Sequence, residues 1–122
     1  MATSSVDTFL PQKDLLEING SLSSGDERTS GWRNTYESST VVGYFIADNA
    51  GAAANAELVI EQSIDQSEAD ITNTVSPTAA GNAQPFEFDL VGTNVKATIT
   101  ANENIDKVRA IVYQSTRTAP IQ

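Results

Sequence analysis

The chain has 122 residues, neither cysteine nor histidine, and sixteen acidic against seven basic side chains, giving a net charge of −9 and a pI near 4.2. One domain fits that length, while disulfides, thiolate metal sites and histidine chemistry are excluded by composition. Phosphate backbones need a basic surface, so nucleic acid is not expected as a partner.

A hydrophobic share of 39% suits a thin, two-layer structure. The only lysines are Lys13, Lys96 and Lys107. An acidic, lysine-poor surface is suited to concentrated salt, where carboxylate repulsion is screened within about 3 Å at 1 M. An ordinary acidic extracellular or virion protein would share it.

Residues 1–13 are polar, include Pro11 and offer Val6, Phe9 and Leu10 for burial. They read as an arm, either frayed or ordered on a neighbouring subunit, with Phe9 and Leu10 as anchors to subunit or capsid. The segment lacks the basic and apolar regions of a secretory signal. No run is long enough to span a membrane as a helix, so no membrane is expected. From residue 14 to 122 the chain reads as one β domain.

Asp14 to Leu22 predicts a first strand with Leu16, Ile18 and Leu22 on one face, a helical turn over Asp14 to Ile18 being the alternative. Ser23 to Ser30 reads as a polar turn. Trp32, the sole tryptophan, is either a lid on the core or, with Tyr36, a stacking platform for a sugar.

Val41 to Ala47 and Ala56 to Ser63 read as two strands of one hairpin, with Asn49, Gly51 and Asn55 as turn formers. Leu58, Ile60 and Gln62 alternate with Val59, Glu61 and Ser63. A turn from Asp65 to Ala69 precedes a short strand, Asp70 to Val75, with Ile71 and Val75 facing inward. Ser76 to Pro85 is a loop. Phe86, Phe88 and Leu90 then alternate with Glu87 and Asp89, Val95, Ala97, Ile99 and Ala101 with Lys96, Thr98 and Thr100, and Val108, Ala110 and Val112 with Arg109, Ile111 and Tyr113.

Seven or eight short strands separated by turns predict an all-β chain, an antiparallel β-sandwich. The connections Ser23 to Thr29 and Ser76 to Pro85 suit the crossings of a jelly roll. An immunoglobulin-like sandwich would lack its cysteine–tryptophan–cysteine framework.

The segments GYFIADNAG, ELVIEQSID, PFEFDLVG and KVRAIVYQS, between residues 40 and 115, resemble small β-sandwich proteins encoded among the structural genes of tailed viruses. The matching positions are Asp48, Gly51, Leu58, Ile60, Glu61, Gln62, Ser63 and Asp65. The sequence departs from that pattern in an alanine-rich insert, Gly51 to Asn55, and in DQSEAD after Ile64. The resemblance implies a capsid decoration, turret or head-fibre component, a virion protein forming a symmetric homo-oligomer on the major capsid protein or other virion proteins. Together with the composition, it suggests a virus of a salt-loving archaeon.

Two other functions compete. In a carbohydrate- or receptor-binding module, Trp32, Tyr36, Tyr44 and Tyr113 would form a platform for a host-surface glycan. In a glycosidase, Glu87 and Asp89 would be the acid pair, although outward acids on a strand are usually a solvated face and no residue gives a reason for a shifted pKa. The expectation is therefore no enzyme and no cofactor. Asp65, Glu68 and Asp70 share one turn with oxygen ligands but not the spacing of a calcium loop, so no metal is expected. Asn19 opens a glycosylation sequon within a strand.

Overall fold

The computed structural model describes residues 12–36, 38–78 and 82–116. Its strands are β1 (Gln12–Leu22), β2 (Glu27–Thr29), β3 (Arg33–Asn34), β4 (Thr40–Asn49), β5 (Ala52–Ala53), β6 (Ala56–Ser63), β7 (Ile71–Val75), β8 (Gln84–Asp89), β9 (Asn94–Ala101) and β10 (Ile105–Ser115). One sheet runs β1–β10–β4–β8, with β5 also on β4. The other runs β2–β9–β6–β7, with β3 continuing β2 along β9. Every pairing is antiparallel. With β2 and β3 taken as one interrupted strand and β5 as a stub, this is the strand order of a jelly roll.

Alternation builds the core. Val95, Ala97, Ile99 and Ala101 on β9 and Leu58 and Ile60 on β6 face Val41 and Phe45 on β4 and Val108, Ala110 and Val112 on β10, all buried. Each large aliphatic among them contributes about 1.5–3 kcal/mol by leaving water. Lys96, Thr98 and Thr100 keep partial exposure on the other face of β9. The last strand has both faces partly covered, since Ile111 and Tyr113 are half-buried opposite its core side.

The expected hairpin between Val41–Ala47 and Ala56–Ser63 does not form, because β4 and β6 lie in opposite sheets. Its turn chemistry is real but local. Ala50 and Gly51 both have positive φ, 53° and 86°, and close a two-residue turn pairing Asn49 with Ala52. The chain then dives: Ala54 is buried and donates its N–H to the Ala47 carbonyl at 2.9 Å.

The first strand begins at Gln12 rather than Asp14 and is no helical turn. A register shift between Val112 and Tyr113 inserts an extra residue in β1, and Leu15 is buried while Leu16 and Ile18 pack beside the core half-buried. Within the expected Ser23–Ser30 turn, β2 pairs with β9. Ile71, expected inward, is 37% exposed because β7 is a sheet edge and Ile71 is its first residue. The connections 23–26 and 76–83 cross between sheets as expected.

Candidate functional site

Trp32 belongs to a hollow on the outer face of the β2–β9–β6 layer. Register places Lys96 beside Glu61 and Thr98 beside Val59. Gly31, at φ 68°, turns the chain so that Trp32 completes a hollow of about 470 Å3 with Glu27, Thr29, Lys96 and Thr98. Ser30 fixes that turn: its hydroxyl donates to the Gly31 carbonyl at 2.7 Å and accepts the Ala97 N–H at 3.0 Å. The Lys96 ammonium stands 4.7 Å from the indole centroid and 3.5 Å from the Glu61 carboxylate. One face of the indole therefore carries a cation already paired to an acid.

Tyr36 is elsewhere. It is 70% exposed on the 35–39 connection, where its N–H donates to Asn34 Oδ1 at 2.7 Å. Tyr44 and Tyr113 are half-buried on the outer face of the opposite sheet. The four aromatics expected to share a platform are thus divided among two sheet faces and a loop. Phe9 and Leu10 lie outside the described residues. Glu87 and Asp89 share an exposed face of β8.

The turn after β6 is closed by its own polar groups. Asp65 Oδ1 accepts the Ser67 N–H and the Ser63 hydroxyl, each at 3.0 Å, and Asp70 Oδ2 accepts the Ile64 N–H at 3.1 Å. The donors of Ser67, followed by the Ser63 hydroxyl, lower the Asp65 pKa to about 2. Among the described residues, no three acidic side chains are grouped to hold a metal ion.

The two ends of the sandwich differ sharply. At the end formed by the 23–26, 50–55 and 102–104 connections, polar side chains tie the loops together. Asn49 Nδ2 donates to the Asn104 carbonyl at 2.8 Å, Asn104 Oδ1 accepts the Ser24 N–H at 2.8 Å, and Asn49 Oδ1 accepts the Asp106 N–H at 2.7 Å.

The opposite end carries Tyr36, Ile64 and Val91, exposed by 70%, 73% and 73%, three of the four exposed large hydrophobics among the described residues. Each lies beside a residue that the bonds around Gly92 and Thr93 tie together. Thr35 donates its N–H to the Thr93 carbonyl and its hydroxyl to that of Gly92, and the Thr93 hydroxyl donates to the Ile64 carbonyl at 3.2 Å. Beneath them Gln62, 2% exposed, accepts the N–H groups of Val91 and Gly92 and donates to the Asp89 carbonyl. Gln12 and Ser115 pair at this same end. The sequence signalled Val91 by phase alone, since it falls on the polar face of the Phe86, Phe88, Leu90 pattern.

No protein-family model matches the sequence, and no curated protein matches it. Among solved structures the chain is similar to a protein of Bacillus endospore appendages, described as a family of disulfide-linked pili, with 14% identity, 89% of each chain covered and a TM-score of 0.50. That likeness shows the fold. A structure described under CBM4 structure and function aligns at 18% identity over 75% of this chain and 61% of its own, with a TM-score of 0.47.

Proposed function

We propose that this chain is a structural protomer that assembles without disulfide links into a symmetric homo-oligomer, decorating the surface of a virus head as a turret or decoration component. The observation that carries this reading is the asymmetry of the two ends. One end has its polar groups tied to each other, while the other exposes Tyr36, Ile64 and Val91. Apolar side chains grouped on a rigid end mark a contact surface, because single scattered ones need no explanation but clusters do. The resemblance of the sequence to virion β-sandwich proteins supports the particle, with the major capsid protein or another virion protein carrying the oligomer. The acidic, lysine-poor surface supports a particle exposed to concentrated salt. The appendage protein sharing the fold is described as disulfide-linked, and this chain has no cysteine, so disulfides cannot link its copies.

Sedimentation velocity on the full chain and on the triple variant Tyr36→Ser, Ile64→Ser, Val91→Ser tests the reading. The native chain is expected to form a discrete oligomer and the variant to remain a folded monomer. A native chain that is monomeric from millimolar to molar salt, or a variant that assembles like the native protein, would overturn it.

A second reading, a glycan-binding module, is favoured by the half-buried Trp32 beside the threonines of β9. There Lys96 must leave the indole face before a sugar ring stacks on it. Binding on a glycan array that Lys96→Ala strengthens and Trp32→Ala abolishes would establish that reading; an array without signal would remove it.

A further inference from the structure

We infer that β7 pairs edge to edge with β7 of a second copy of this chain, antiparallel about a two-fold axis at Asn73. The inference rests on the reading of the chain as a self-assembling protomer and assigns one of its contacts. Backbone groups in an antiparallel ladder alternate in direction along each strand. Asp70 donates its N–H to the Gln62 carbonyl, so Gln62, Ile60 and Leu58 direct theirs toward β7, onto Ile71, Asn73 and Val75. The next pairing agrees in phase: the Ala97 carbonyl accepts the Ser30 N–H, away from β6, which leaves Lys96 and Thr98 bonded to Glu61 and Val59. Thr72 and Thr74 therefore turn both N–H and C=O outward from the sheet, and both are exposed. Among the described residues β7 pairs with β6 alone.

Of the edge strands longer than two residues, β7 alone carries no guard against pairing. β1 has Lys13, Asp14, Glu17 and two register shifts, β2 has Glu27 and Arg28, and β8 has Pro85, Glu87 and Asp89. Charges, prolines and bulges of that kind keep edges apart. The sequence ITNTV has none of them, and its register on β6 is unbroken. The strand is also its own complement. About an axis at Asn73, Thr72 meets Thr74 of the second copy and Thr74 meets its Thr72, so every outward backbone group of both strands gains a partner and the hydroxyl side chains pair across the seam. Ile71, 37% exposed in the single chain, comes opposite Val75 of the second copy, beside the cleft of about 650 Å3 that Val75 lines with Phe86 and Phe88. Copies with a net charge of −9 can approach here, because Glu61 on the neighbouring strand is paired to Lys96 at 3.5 Å and Asp70 is turned back onto the Ile64 N–H. A strand of 5 residues buries well under the area of a stable pair, roughly 1,200 Å2. The contact therefore closes between copies that the apolar end has already gathered.

The absence of cysteine allows a direct test. The two-fold axis sets residue 73 against itself in a non-bonded pair, with Cα atoms about 4.5 Å apart, within reach of a disulfide. Full-length Asn73→Cys is oxidised in molar salt beside full-length Thr98→Cys, an equally half-buried position in the middle of the same sheet. Disulfide-linked dimer is expected from Asn73→Cys at about ten times or more the yield from Thr98→Cys, since pairing raises the effective concentration of the two thiols. Adding Thr72→Pro removes one outward N–H and leaves the ladder to β6 in place. It should return the yield to the control level while far-ultraviolet circular dichroism stays unchanged.

Equal yields from the two single variants would overturn the inference. So would an Asn73→Cys, Thr72→Pro protein that keeps its circular dichroism and still links. Native oligomers whose Asn73→Cys variant does not cross-link would sink this contact alone and leave the assembly reading standing, whereas a native chain that never self-associates removes both.

Discussion

Gln62 shows how a single polar side chain organises the candidate contact end. It points inward from β6 in phase with Leu58 and Ile60, and its amide satisfies three part-buried backbone groups of residues 89–92. Gln62→Ala is expected to cost about 1–3 kcal/mol, because a buried side chain and three part-buried hydrogen bonds are lost together. Chemical denaturation checks this, and a loss no larger than that of an exposed substitution would contradict it. Asp65 acts more locally. Its folded pKa of about 2 lies below its unfolded value of 3.8, so it contributes stability above the unfolded value that is lost as the pH falls through the folded one. Asp65→Asn should flatten the thermal-midpoint profile between pH 4 and pH 2, and superimposable native and variant profiles would refute that. The inward direction of Gln62 was legible from period-two alternation, but its three partners lie 27 to 30 residues away in the sequence. Trp32 read from the sequence as a lid on the core or a sugar platform; the structure sets it on the outer face of a sheet, and the cation above it depends on a cross-strand register that no local pattern encodes.

At the scale of elements, strands were easier to read than their partners. β6, β9 and β10 follow their alternation closely, because each keeps one face in the core while the other is half-buried or exposed. The pairing of β4 with β6 was misread because turn residues at Asn49 and Gly51 report a reversal of the chain and not its length. The reversal is two residues long and joins β4 to the stub β5. Ala50 occupies its first position at φ 53°, a left-handed conformation that asparagine tolerates better than alanine. Ala50→Asn is therefore expected to stabilise the fold by about 0.5–1 kcal/mol, read as a higher denaturation midpoint with an unchanged slope. A lower midpoint would show that the turn is not the type its dihedral angles indicate. The short β2 went unread because the whole of its three-residue span is exposed and offers no hydrophobic period.

Across the whole molecule, the jelly roll was accessible from the count of strands and the long connections read at Ser23 to Thr29 and Ser76 to Pro85, which the structure shortens to 23–26 and 76–83. The differentiation of its two ends was not, since Tyr36, Ile64 and Val91 are far apart in sequence and are brought to one end only by the hydrogen bonds around Gly92 and Thr93. Between protomers each carrying a net charge of −9, contacts should depend on salt. At about 0.01 M the Debye length is roughly 30 Å and neighbouring carboxylates repel across an interface; at 1 M it is about 3 Å. Oligomer mass is thus predicted to fall as salt is removed, and light scattering that shows one mass throughout would contradict the account of the surface. The central claim, that the chain is a structural part of a particle, is tested most directly by quantitative mass spectrometry of purified virus particles from the producing cells. A fixed ratio to the main shell protein, matching capsid vertices or capsomer centres, is the predicted result. Particles that lack the chain, or carry it at a ratio that varies between preparations, would contradict it.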